Sequence, residues 1–166
     1  MGSFQIFGMQ MTLSLIVFAL LAKWYVAPKL ASWPLYDALI FLTFPHALRH
    51  LGVTVLAPAA VDPNFPREWS VPLAYGDLAA QILALLSVIA LHARSPVAMP
   101  LVWTFNIVGL LDFAFVIGQG MRLDVTRYHF DGFWYVPTFW VPVLIVSHVL
   151  IFGLLLKRPS AKKAAG

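Results

Sequence analysis

The segment FLTFPHALRHLGVTV, residues 41–55, carries His46, Arg49 and His50 between runs of almost wholly apolar residues. At α-helical spacing these three side chains and Val53 fall on one stripe. His46 and His50 stand four apart, the spacing that sets two imidazoles on one face of an H-E-x-x-H zinc helix. Downstream, equally apolar segments carry Asp77 and Gln81, then Asn106 and Asp112, then His148. An ionisable side chain in hydrocarbon costs several kcal/mol unless it is paired or hydrated, so each such residue marks function by default.

This set of residues suits several chemistries. In a zinc hydrolase His46 and His50 would bind metal, with His148 and an aspartate completing a site that keeps one position for water. Arg49 opposes that reading, as a fixed cation on the same stripe, and no span holds a Glu to act as base. A b-type haem would need axial histidines on facing helices, His46 or His50 with His148. A purely structural network would pair Arg49 with a carboxylate and join helices through amide and imidazole hydrogen bonds. A ligand pocket or acid–base enzyme uses the set most fully. Arg49 would anchor an anionic or carbonyl group. Asp112 and His148 would move protons, their affinities tuned apart by a low-dielectric site. His46, His50, Asp77, Gln81 and Asn106 would orient the ligand. A proton or small-solute path would use the same residues. The expected cofactor content is none, neither zinc nor haem.

The elements that position these residues follow from composition. The 166 residues are 61% hydrophobic and 11% charged, with a mean hydropathy of +0.84. Soluble domains are nearer half apolar and a quarter charged, so the expectation is an integral membrane protein of one domain. The chain has no cysteine, which removes disulfides, thiolate metal sites and cysteine nucleophiles. Much of the net charge of +4 lies in the tail KRPSAKKAAG, residues 157–166. That tail suits anionic lipid headgroups, not nucleic acid.

A spanning helix needs about 20 mostly apolar residues. Five such segments are expected, at 4–22, 35–58, 72–92, 100–119 and 136–156. The fold class is therefore an all-α bundle of five transmembrane helices. The first segment has no basic residue ahead of it, unlike a secretory signal, and is expected to stay as a signal anchor. Ile6 breaks the myristoylation pattern in MGSFQI. Prolines punctuate the breaks at APAAVDPNFPREWSVP and ARSPVAMP. Pro45, Pro137 and Pro142 are expected to kink helices, and Trp33, Trp69, Trp134 and Trp140 to form interfacial belts. Ser147 and His148 are helical neighbours that point apart, so they form no nucleophile–base pair.

Lys and Arg counts set the orientation. The N-terminal side carries Arg67, Arg122 and Arg127; the other carries Lys23, Lys29, Arg94, Lys157, Arg158, Lys162 and Lys163. The positive-inside bias predicts a cytoplasmic C-terminus. In a bacterial inner membrane the N-terminus would then lie outside. At a rise of about 1.5 Å per residue, Arg49, His50, Gln81 and Asp112 sit roughly 10–14 Å from the outer end of their spans. His46, Asn106 and His148 lie roughly 18–20 Å down, and Asp77 only roughly 7 Å. Matching depths predict an Arg49–Asp112 ion pair.

The stretches PLAYGDLAAQILALL, LVWTFNIVGLLDFAFVIGQG and YVPTFWVPVLIVSHVLIF resemble a set of uncharacterised bacterial multi-pass proteins. The shared pattern is P-x-x-x-G-D, then N-x-x-G-x-x-D, then P-T-F-x-V-P and a late His. It falls on Pro72, Gly76, Asp77, Asn106, Gly109, Asp112, Pro137, Thr138, Pro142 and His148. This resemblance implies a fold neighbourhood and no activity. GDLAAQ is also similar to an acidic-x3-Gln stretch of the emopamil-binding (EXPERA) fold, which includes sterol isomerases and a sterol-binding receptor; that likeness implies a pocket for a rigid apolar ligand. The partners expected are membrane lipids and a small amphipathic or lipid-like ligand, within a homo-oligomer or a larger membrane complex. The alternative is a non-catalytic accessory subunit of such a complex.

Overall fold

The computed structural model describes residues 1–157. Arg158, Lys162 and Lys163, most of the expected basic tail, lie outside the described residues. Among the described residues the secondary structure is all helical. Five helices are long and apolar enough to cross a membrane: α1 (Ser3–Leu30), α2 (Leu35–Leu56), α3 (Arg67–His92), α4 (Ala98–Arg122) and α5 (Asp131–Leu156). Short connections make successive helices antiparallel. Helix α3 lies between α2 and α4, α5 packs on both α2 and α4, and α1 packs against α5. No residue of Ser3–Leu21 is buried, so this part of α1 borders the bundle, while Leu30 at the end of α1 joins the core.

Three prolines reshape the helices. A proline supplies no N–H to the carbonyl four residues back, and its ring crowds that carbonyl. In α1 the chain widens into a π turn over Ala22–Val26, two residues before Pro28. The helix then continues to Leu30, well beyond the expected end at residue 22. In α5 a π turn over Val136–Trp140 stands in the same relation to Pro142. In α2 the α-helix ends at Thr43, and from Phe44 to Leu56 the chain is a 3-10 helix with Pro45 in its first turn. Runs of 3-10 helix seldom exceed three or four residues; this one has 13.

Helix α3 begins at Arg67, five residues before the expected start at Pro72. Pro72 is accommodated inside it, still near the N-terminal end. The aromatic residues expected in an interfacial belt are divided. Trp33 is exposed, but Trp69 is buried, and its Nε1 donates to the Val116 carbonyl at 2.8 Å. Phe65, Phe130 and Phe133 pack with Trp69 into a buried aromatic cap. The cap forms because the loops after α2 and α4 fold over this end of the bundle, joined by Asp62 N–H donating to the His129 carbonyl at 2.9 Å.

Candidate functional site

A 3-10 helix repeats every three residues. The buried positions of this half of α2 are accordingly His46, Arg49, Gly52 and Val55. His50, expected beside His46, is exposed. Four residues at 120° each turn it about a third of the way round from His46. The stripe thus keeps His46 and Arg49 and loses His50, and the two-imidazole zinc face does not form. The His50 backbone still contributes: its N–H donates to Gln81 Oε1 at 2.6 Å, fastening α2 to α3. Gln81 therefore holds backbone and does not face a ligand through a free amide oxygen.

Arg49 is 1% exposed. Its Nε donates to Asp77 Oδ1 at 2.8 Å, and its Nη2 donates to Asp112 Oδ2. The guanidinium lies over the Phe113 ring, 4.1 Å from the centroid. The Arg49–Asp112 pair is the one that matching depth predicts. Asp77 joins it because α3 starts early: ten residues beyond Arg67, Asp77 is about 15 Å into the helix, at the level of Arg49. Phe113 carried no sequence signal beyond its place next to Asp112.

Below this ion triad lies an amide–imidazole pair. Asn106 Nδ2 donates to the His148 backbone carbonyl at 3.3 Å, which turns Asn106 Oδ1 toward His148 Nδ1, 2.6 Å away. The Nδ1 proton therefore points at Asn106, and Nε2 is left as an acceptor. The His46 and His148 rings touch, with centroids 4.2 Å apart, and Phe105 packs on both. No haem plane fits between rings at that separation. Ser147, beside His148 in sequence, donates to the Leu42 carbonyl at 2.5 Å.

Three glycines explain how four helices come this close. A Cβ on Gly52 of α2 would collide with the Asp77 carboxylate, and one on Gly76 of α3 would collide with that of Asp112. A Cβ on Gly109 of α4 would stand 2.6 Å from His148 Nε2 and 3.3 Å from Arg49 Nη1. Each polar side chain thus occupies the space over a glycine of the neighbouring helix. Gly76 and Gly109 are part of the sequence pattern; Gly52 was not singled out there, and only the 3-10 register gives it a facing position.

The triad closes one end of a cavity of about 110 Å³ among α1, α3, α4 and α5. Its walls include Phe7, Trp69, Phe113, Phe133 and Val136, and its polar side chains are Asp77, Asp112, Asp124 and Thr126. The Asp77 and Asp112 side chains are 12% and 11% exposed, while that of Arg49 is 0%. Of the residues expected to act on a ligand, Asp77 and Asp112 line this cavity. Arg49, His46, Asn106 and His148 stand behind them, and His50 faces outward.

No curated protein and no solved structure matches the chain. A family described as a domain of unknown function, DUF8737, matches residues 6–156. That match takes in all five helices almost entirely, including every residue of the triad and the glycines beneath it, and the chain belongs to this family.

Proposed function

We propose that the protein is a five-span membrane protein whose cavity binds a small amphipathic molecule through an apolar body and a cationic or hydrogen-bond-donating head. One observation carries this reading. The two carboxylates of the triad face a mostly apolar cavity, with the exposed Asp124 also in its lining, and the guanidinium that balances one of the two is turned away from it. With both carboxylates ionised the triad has a net formal charge of one negative unit, which is costly in a low-dielectric setting without a counter-charge. A protonated amine supplies that charge, and the aromatic walls favour a cation further. Arg49 is then not the ligand anchor that its charge suggests. It holds the two carboxylates in place.

Acid–base conversion of the ligand is the catalytic extension of this reading. Asp112 would exchange a proton with the ligand, and His148, which does not line the cavity, would have no direct part in that exchange. The membrane is the bacterial inner membrane, with the N-terminus outside and the C-terminus in the cytoplasm. A second reading, a non-catalytic accessory subunit, is favoured by α1, of whose first 19 residues none is buried in this chain. Native mass spectrometry of the gently extracted protein separates the two, reporting a bound small molecule or a bound protein partner.

Size-matched hexylamine, hexanol and hexanoate provide the direct test, scored by thermal stability in an uncharged maltoside detergent. Hexylamine should raise the melting temperature of the wild-type protein, and hexanoate should not. A ligand at a hundredfold excess over its Kd adds about 2.7 kcal/mol to stability. Asp77→Asn should remove the amine response while the protein stays folded. Stabilisation by hexanoate in place of hexylamine would refute the reading.

A further inference from the structure

At the end of the bundle away from the triad, α1, α2 and α5 separate around a groove of about 550 Å³. Leu30, Leu35, Leu42, Leu150 and Leu154 contribute to its walls, and the exposed Lys157 stands at the end of α5. Two further observations bear on what fills it. Gly153 lines the groove from inside α5, where a Cβ would meet nothing within 4 Å. Glycine weakens a helix interior, and no packing contact among the described residues requires one there, unlike Gly52, Gly76 and Gly109. The charge at this end is also one-sided. Among the described residues Lys29 and Lys157 have no carboxylate within 4 Å, and Asp37 is already held by Arg94 at 3.0 Å. Lys29 lies in the last turn of α1, next to the groove residue Leu30.

We propose that this groove seats one acyl chain of an anionic phospholipid, with the headgroup phosphate held by Lys157. The wall chemistry selects hydrocarbon, and Gly153 leaves the width for a chain between α5 and α1. Basic residues at the ends of membrane helices attract anionic headgroups. The positive-inside count puts this end at the cytoplasmic face. The site is separate from the carboxylate cavity, and the inference rests only on membrane insertion, which fractionation of cells with and without detergent tests by itself.

The experiment uses the full chain in maltoside, with phosphatidylglycerol or phosphatidylcholine added, read by lipid adducts in native mass spectrometry and by melting temperature. Phosphatidylglycerol should bind at least several-fold more tightly than phosphatidylcholine. Lys157→Gln should reduce that preference to near unity. Gly153→Leu, whose Cβ would meet nothing within 4 Å among the described residues, should fold and lose the tight adduct of both lipids. Equal binding of the two lipids by the wild-type protein would overturn the proposal. So would a Gly153→Leu variant that keeps its phosphatidylglycerol adduct, since the lipid would then be held by surface charge and not by the groove.

Discussion

Arg49 keeps its proton under all protein conditions, so its burial at 1% exposure demands fixed partners. It has two, Asp77 and Asp112. Removing one member of a buried ion pair typically costs about 3–5 kcal/mol, because the charge left behind is uncompensated. Arg49→Met should fall in that range, as thermal or denaturant unfolding in detergent would show. The combined variant Arg49→Met, Asp77→Leu, Asp112→Leu removes every charge of the triad and should lose much less than the sum of its three parts. Losses that simply add would mean that the three residues do not act as one network. The composition of the network was legible in the sequence: an arginine and two aspartates in apolar segments must find one another. Both aspartates were available as counter-charges to Arg49, and depth ranked Asp112 above Asp77, where the structure pairs Arg49 with both. The error lay in the start of α3, placed at Pro72 when a proline near a helix N-terminus does not have to be the first residue.

At the scale of the element, α2 holds the main departure from expectation. Apolar periodicity over residues 35–58 identifies a helix but not its pitch. Pro45 withholds an N–H from its own helix, and the following segment tightens to three residues per turn. That change sends His50 outward and brings Gly52 over Asp77. Nitroxide labels on single cysteines would detect it, against a background free of native cysteine. Labels at positions 48, 50, 51 and 54 should be readily quenched by lipid-dissolved oxygen, and labels at 46 and 55 should be protected. A continuous α-helix would instead protect 50 and 53 together with 46. The π turns of α1 and α5 follow the same rule at Pro28 and Pro142. In each case the proline is plain in the sequence, and what the chain does to accommodate it depends on the neighbours that accept the displaced carbonyls.

For the whole molecule, the two ends of the bundle differ in charge and chemistry. The aromatic cap and carboxylate cavity lie toward one end, and Lys29, Lys157 and the leucine-lined groove toward the other. From the positive-inside bias the lysine end is predicted to lie in the cytoplasm. Alkaline phosphatase and a green fluorescent protein fused after Gly166 would check it. Fluorescence without phosphatase activity is expected, and the reverse would invert the orientation. The number of apolar helices and the ionisable residues they carry were determined by the sequence alone, because hydrocarbon length and the cost of burying charge depend on residue type and not on neighbours. The tertiary structure decided which of those residues meet. It turned His50 away, joined Asp77 to Arg49, laid His46 against His148, and exposed carboxylates in place of the guanidinium to the cavity. Those outcomes depend on helix pitch, helix start and the glycines that let backbones approach, and each is settled by contacts between segments far apart in the chain.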